Sequence, residues 1–335
     1  MRVFEIRDDT GIDGLTLTDR PDRTPGPHEV LVRVRAVSLN YRDLSTVKFA
    51  GSRGLRLPMI PCSDGAGEVL SIGEGVTRVK TGDRVAGIFF QNWLAGPMHA
   101  SHGRSALGGD LDGMLAEQVV LHEDGLVHVP EHLSLEEAST LPCAAVTAWQ
   151  ALITLGNIKT GDTVLVLGTG GVSIFGLQFA LMSGARGIVT SSSVEKLARA
   201  RELGATGEVN YRATPNWDER VLELTGGLGV DHVVEVGGSG TLAKSFSSVR
   251  VGGTVSLIGV LTGAGETDPN PVLRKGIRFQ GIYVGSRDMF EDMNRAIALH
   301  RMRPVIDKVF PFEKSHQALR FLESAGHFGK IVIRV

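Results

Sequence analysis

Polar and apolar positions along this chain follow one rhythm up to about residue 125 and another beyond it. "HEVLVRVRAVSLN" sets Val30, Val32, Val34 and Ala36 on one face, the period of two that marks a half-buried strand. "GMLAEQVVLHEDGLVHVP" alternates more loosely and carries its own turn residues, so the first stretch reads as a glycine-punctuated antiparallel β unit. "SLEEASTLPCAAVTAWQALITLG" opens on Ser134 with Glu137 three residues later, a capping box ahead of apolar residues at helical spacing. From residue 161 strands and helices alternate. "TVLVLG", "GIVTSS", "DHVVEVGG" and "GTVSLIG" are short apolar runs; "GVSIFGLQFALMSGA", "SVEKLARARELGA" and "SGTLAKSFSSVR" have helical spacing. That order predicts a parallel, doubly wound sheet. Past the polar "TGAGETDPNP", "FQGIYVGS" and "GKIVIRV" read as strands on either side of a helix through "MFEDMNRAIALH". "KTGDRVAG" and "KTGDTVLV" repeat a turn-into-strand device, which we read as shared turn chemistry and not as duplication.

Composition removes several function classes. The 335 residues are 42% hydrophobic with a net charge of −2, and no Lys/Arg run offers the electrostatic footprint of a nucleic-acid or anionic-membrane partner. No apolar signal core and no stretch of about 18 apolar residues is present, so a cytosolic protein without a membrane span is expected. Two cysteines, Cys62 and Cys143, imply no disulfide framework. Hydrolase and kinase readings find neither a Gly-x-Ser-x-Gly elbow nor a P-loop.

The strongest chemical signal is "TVLVLGTGGVSIFGLQFA". A strand runs into Gly168, Gly170 and Gly171 and straight on into a helix, whose free N–H groups and positive dipole end suit a pyrophosphate. The third glycine of the usual fingerprint is Ser173. NAD enzymes place a carboxylate near the end of the next strand to bond the ribose 2′-OH, but here that region reads "VTSSSVEK". Ser191, Ser192 and Ser193 can donate to a 2′-phosphate and Lys196 can add charge, which favours NADPH over NADH. The competing reading is that the serines cap the next helix and Lys196 is a solvated surface residue.

Taken jointly, "AVSLNYRDL", "IPCSDGAGEV", "TGDRVAG", "LPCAAVTAW", "VLVLGTGGVSIFGLQFA", "TSSSVEKLARARELGA", "NYR" and "GHFGKIVI" resemble the medium-chain dehydrogenases/reductases over essentially the full length. Within them the zinc-free, quinone-oxidoreductase-like branch is the nearest. The resemblance implies an α/β fold with a GroES-like β domain from residues 1–125 and 267–335 and a Rossmann NADP(H)-binding domain over 126–266. Zinc-bearing relatives have a cysteine where this chain has Asn40, a Gly-His-Glu run where it has Cys62, Ser63 and Asp64, and often a cysteine at Cys143. Asn, Ser and a lone thiol do not supply the three or more N/S/O ligands that zinc takes. The loop of residues 91–113 has no cysteine for a structural zinc, and His99 with His102 makes at most half a site.

The resemblance further implies an NADPH-dependent oxidoreductase acting on a small molecule. Lacking a Lewis acid, it must use an acceptor that carries its own activation, a quinone or an α,β-unsaturated carbonyl. Asn40 and Thr147 are expected near nicotinamide and substrate, each with a neutral hydrogen-bonding group. Tyr41 is the phenol available as a proton donor or as a packing ring, Ser63 and Asp64 line the positions of the zinc ligands, and Asp43 ties its loop to a backbone or arginine. Gly170, Gly171 and Val172 fit the pyrophosphate turn; Ser192, Lys196 and Tyr211 match 2′-phosphate positions. Gly259, Val260, Tyr283 and Val284 are expected to approach the nicotinamide, with Lys330 near the cofactor. "FQGIYVGS" is the expected edge of a two-fold homodimer. The alternatives are a zinc-dependent alcohol or aldehyde dehydrogenase and a non-catalytic NADPH-binding protein.

Overall fold

In chain order the strands are β1 (Arg2–Ile6), β2 (Leu15–Asp19), β3 (Glu29–Leu39), β4 (Asp64–Ile72), β5 (Arg84–Gly87), β6 (Gln118–His122), β7 (Leu126–His128), β8 (Thr163–Leu167), β9 (Arg186–Ser191), β10 (Gly207–Asn210), β11 (Val230–Glu235), β12 (Val249–Leu257), β13 (Arg278–Gly281), β14 (Ile306–Pro311) and β15 (Lys330–Arg334). The computed structural model describes residues 1–335, which fall into two compact units, Met1–Val146 with Gly285–Val335, and Thr147–Val284.

In the first unit one sheet runs β14-β15-β3-β4-β5-β7, with β6 also paired to β3, beside a β1–β2 hairpin. Every pair is antiparallel except β14 with β15. Val30, Val32, Val34 and Ala36 are buried as their alternation requires, and burial then becomes continuous through Leu39. That change of pattern marks where both faces of β3 are covered. Two registers matter for chemistry. Ile331 of β15 lies opposite Leu39, and Asp64 of β4 lies opposite Ser38. Lys330, Asn40 and Asp64, far apart in the chain, are therefore brought to the same end of three neighbouring strands.

In the second unit six parallel strands run β10-β9-β8-β11-β12-β13. β8 is buried at all five positions, as a central parallel strand covered on both faces demands. β8 is flanked by β9 on one side and β11 on the other, so the strand order reverses beside it. Ligands of open α/β sheets bind at the carboxyl ends of the strands at such a point.

The repeated turn has the same build in both units. Lys80 N donates to Asp83 Oδ2 at 3.0 Å before β5, and Lys159 N donates to Asp162 Oδ2 at 2.8 Å before β8. Gly82 and Gly161 stand at φ +90° and +89°, a conformation that only glycine adopts without strain. One turn thus feeds an antiparallel and a parallel sheet.

Two boundaries lie later than the sequence pattern places them. Residues 126–146 stay with the first unit, because β7 pairs with β5 and Arg334 donates to Glu136 Oε1 at 2.6 Å. Residues 267–284 stay with the second, because β13 adds to β12. The helical connection after Ser134 is also less regular than its spacing predicts. The capping box forms, with Glu137 N to Ser134 Oγ at 3.1 Å and Ser134 N to Glu137 Oε2 at 2.8 Å. Helix Leu135–Ser139 then passes into π turns at Leu141–Ala145 and Gln150–Thr154 around a single α turn, Val146–Trp149. Pro142 has no N–H for the helical ladder, which accounts for the first interruption. No helix is long and apolar enough to cross a membrane.

Candidate active site

β3 ends at Leu39, and Asn40, still extended at φ −124°, ψ 157°, caps helix Tyr41–Lys48. Asn40 N donates to Asp43 Oδ2 at 2.8 Å. Asp43, fully buried, also accepts from Ser63 N at 3.2 Å and from Arg42 Nη1 at 3.3 Å. Arg42 is itself anchored on the Leu107 and Gly108 carbonyls at 2.7 and 2.9 Å and lies over the Phe89 ring. Asp43 thus ties the loop to an arginine and a backbone N–H, as expected from the sequence.

Asp64 stands at the start of β4 with no solvent exposure. Its Oδ1 accepts from Ser63 Oγ at 2.7 Å; its Oδ2 accepts from Cys143 N at 3.2 Å and Ser38 Oγ at 3.3 Å. Lys330 Nζ lies 3.9 Å from Asp64 Oδ2 and donates to Leu39 O at 2.7 Å and Asn40 Oδ1 at 2.5 Å. Burial raises the Asp64 carboxyl above its ordinary range; Lys330 opposes this, Asp43 adds to it, and the Asn40 amide and Ser63 hydroxyl oppose it again. Burial pushes both thiols up as well, with the Asp43 carboxylate adding at Cys62 and the Asp64 carboxylate at Cys143. Neither is an activated nucleophile.

Of the sequence-predicted residues in this unit, Asn40, Ser63, Asp64 and Lys330 form one buried hydrogen-bonded group. Tyr41 is outside it, 59% exposed on the first turn of its helix. No group of three His, Cys, Asp or Glu side chains stands together as a metal site would need. His99 N donates to His102 Nδ1, and the His102 ring stacks on Trp93. The donor set at the positions of the zinc ligands is an amide, a hydroxyl, a carboxylate already facing an ammonium and the single Cys143 thiol, fewer ligands than zinc takes.

In the second unit Gly168 follows β8 at φ +73°, its N–H donating to Thr190 Oγ1 at 3.2 Å. Gly170 is extended and Gly171 begins helix Gly171–Met182, whose N-terminus carries no side-chain cap. Ser173, at the third-glycine position, is buried with its hydroxyl donating to Leu167 O at 2.6 Å, so it packs without a cost in unpaired polarity. This helix also packs on the sheet through glycines: an added Cβ at Gly187 of β9 would lie 2.3 Å from Leu177 Cδ1, and one at Gly176 would lie 3.3 Å from Val166 Cγ1 and 3.5 Å from Val234 Cγ2.

The next helix start at this edge is satisfied internally. Ser193 Oγ accepts from Lys196 N and donates to Glu195 Oε2 at 2.6 Å, so the serine run does cap helix Val194–Glu202, through its third member. Ser191 is buried and accepts from Ser193 N; Ser192 and Lys196 are half-buried. Parallel pairing of Asn210 with Ser191 brings Tyr211 to the same edge, with Tyr211 N on Ser191 O. Arg212 follows it, exposed, a cation that motif reading passed over.

Glu235 was also missed. It ends β11 fully buried, accepting from Gly237 N at 2.7 Å, Gly238 N at 3.1 Å and Thr241 Oγ1 at 2.6 Å, and from the Ser245 hydroxyl. Its backbone oxygen takes Ile258 N and Gly259 N. An added Cβ at Gly259 would meet Val236 O at 2.0 Å, so the two loops close only around glycine. Val260 and Tyr283 are exposed beyond them. Thr147 is buried in the short α turn, and Val284 is buried at φ +59°, a strained conformation for a β-branched residue.

Residues 26–131 match the alcohol dehydrogenase GroES-like domain family and residues 171–299 the zinc-binding dehydrogenase family. A zinc-type alcohol dehydrogenase-like protein of Schizosaccharomyces pombe is 46% identical over 92% of this chain and 91% of its own. The crystal structure of an NAD-dependent alcohol dehydrogenase superposes with a TM-score of 0.91 at 33% identity, covering all of both chains. That of a quinone oxidoreductase from Coxiella burnetii gives 0.80 at 26%, covering 100% of this chain and 99% of that one. With a GroES-like unit, a Rossmann unit and relatives of this similarity, the chain belongs to the medium-chain dehydrogenase/reductase family of oxidoreductases, which use nicotinamide cofactors.

Proposed function

We propose that this chain transfers hydride from NADPH to a quinone or an α,β-unsaturated carbonyl without a catalytic metal. The observation that carries this reading is what faces Asn40 and Asp64: the Lys330 ammonium, 2.5 Å from the amide oxygen and 3.9 Å from the carboxylate. A divalent cation placed there would meet a fixed positive charge and too few ligands. Bound NADPH supplies the hydride. The uncapped amides at Gly170, Gly171 and Val172 receive its pyrophosphate, with Gly168 making the turn. Ser192, Lys196 and Tyr211 receive the 2′-phosphate, Ser191 lies buried behind them, and the carboxylate next in the chain, Glu195, is held by Ser193. Thr147, Gly259, Val260, Tyr283 and Val284 serve the nicotinamide half.

With no Lewis acid the acceptor supplies its own activation, since the enolate or hydroquinone anion is stabilised by conjugation. Asn40 is the neutral polar group for the developing oxyanion, Asp64 holds the single Ser63 proton, and Tyr41 Oη is the proton donor. The NAD-dependent alcohol dehydrogenase likeness favours a second reading, alcohol oxidation with NAD⁺. One assay separates them: cofactor turnover with quinones, enones and simple alcohols, NADPH and NADH in parallel, with and without a zinc chelator. NADPH-preferring, chelator-insensitive reduction of quinones or enones is expected. Alcohol turnover with NAD⁺ that the chelator abolishes would replace the reading, and tight NADPH binding without any turnover would favour a non-catalytic role.

β13 is one of the two open edges of the parallel sheet, β10 being the other, and it is exposed at all four residues. We propose that two copies join along it, because an unpaired apolar-bearing edge invites a second strand. Light scattering should give about twice the 35.8 kDa chain mass, and a clean monomer would remove the idea. The cytosol, where Cys62 and Cys143 stay reduced, is the compartment we assign.

A further inference from the structure

Lys330 is 2% exposed, and its ammonium has only donors to offer. The oxygen of Asn40, not its nitrogen, must therefore face it, and the 2.5 Å contact has that sense. A second bond to Leu39 O fixes Nζ against the end of β3. The Asn40 amide nitrogen, buried and without a hydrogen bond of good geometry, is turned toward the Asp64 carboxyl, whose upward shift it opposes. No well-formed hydrogen bond on that nitrogen holds the amide, so the bond from Lys330 to its oxygen sets its orientation. Asp64 completes the group. Its carboxylate has three neutral donors, Ser63, Ser38 and Cys143 N, and one cation, Lys330.

Resting on the hydride-transfer reading, we infer that Lys330 is a positioning residue of the acceptor site: it compensates the buried Asp64 carboxylate and fixes the Asn40 amide, the ground that a metal's charge holds in zinc-bearing relatives. Reduction of the acceptor builds negative charge on its oxygen, and an uncompensated carboxylate nearby would oppose that charge. The direct cofactor contact expected from sequence needs an ammonium directed elsewhere, whereas both Nζ bonds end on Leu39 and Asn40.

A double-mutant cycle on the full-length protein tests this with Lys330→Met, Asp64→Asn and the pair together. Lys330→Met is expected to lower kcat at least about tenfold, leave the NADPH Kd within about twofold by fluorescence titration, and lower the melting temperature by about 5–10 °C, because breaking a buried pair strands a charge. Asp64→Asn added to it removes the stranded charge and should recover most of the melting temperature and part of kcat. A weakened NADPH Kd with kcat unchanged would make Lys330 a cofactor contact and overturn the proposal. So would effects that simply add in the double variant. If Lys330→Met fails to fold, folding of the double variant is the expected sign of compensation, and failure of both to fold, with Asp64→Asn stable, counts against it. Absence of wild-type turnover on the whole panel would remove the hydride-transfer reading, and the acceptor-site role with it, while the melting cycle still decides whether Lys330 compensates Asp64.

Discussion

Lys196→Ala should raise the KM for NADPH by about 10- to 100-fold and leave that for NADH nearly unchanged, the range that loss of one charge-assisted hydrogen bond to a phosphate implies. The structural reason lies in how the serine run divides its work. Ser193 takes the helix cap and holds the Glu195 carboxylate at 2.6 Å, and Ser191 is buried beneath the strand end. Ser192 follows β9 and Lys196 lies in the first turn of the helix after it, while Tyr211 and Arg212 follow the neighbouring β10. NADH has no phosphate there to lose. Steady-state kinetics with both cofactors read the difference, and equal losses would end the 2′-phosphate assignment.

Glu235→Ala should be among the most destabilising single changes in the second unit, lowering the melting temperature by about 10 °C. It strands the buried Gly238 amide and Ser245 hydroxyl, where an unmade hydrogen bond costs about 1–3 kcal/mol each, and takes an acceptor from the half-buried Gly237 amide and Thr241 hydroxyl. Glu235→Gln keeps the acceptor for three of the four donors and can donate to Ser245, so it should cost far less. Calorimetry on both variants separates hydrogen bonding from charge. A glutamine variant as unstable as the alanine would show that the negative charge itself is needed.

Much of this was legible locally. The alternation in "HEVLVRVRAVSLN", the Ser134–Glu137 box, the paired Lys-Thr-Gly-Asp turns and the strand-Gly-helix unit at Gly168 each depend on residues a few positions apart, and each forms as its pattern requires. Short-range geometry is set by backbone sterics and nearby side chains, so the chain order carries it. The same holds for the family's signature, a string of such local pieces.

What only the tertiary structure decided involves register and burial. Lys330 meets Asn40 because Ile331 pairs with Leu39, and Asp64 joins them because it pairs with Ser38; no spacing in the chain announces either alignment. β7 and β13 take sides by which strand they hydrogen-bond, a choice made between partners far apart in sequence. Glu235 looks like an ordinary strand-end carboxylate until its four donors gather around it. The residue types at the metal-ligand positions argued against zinc from the sequence alone. The ammonium that faces them came from the other end of the chain, because the low-dielectric interior leaves a buried carboxylate costly until a cation or donors reach it.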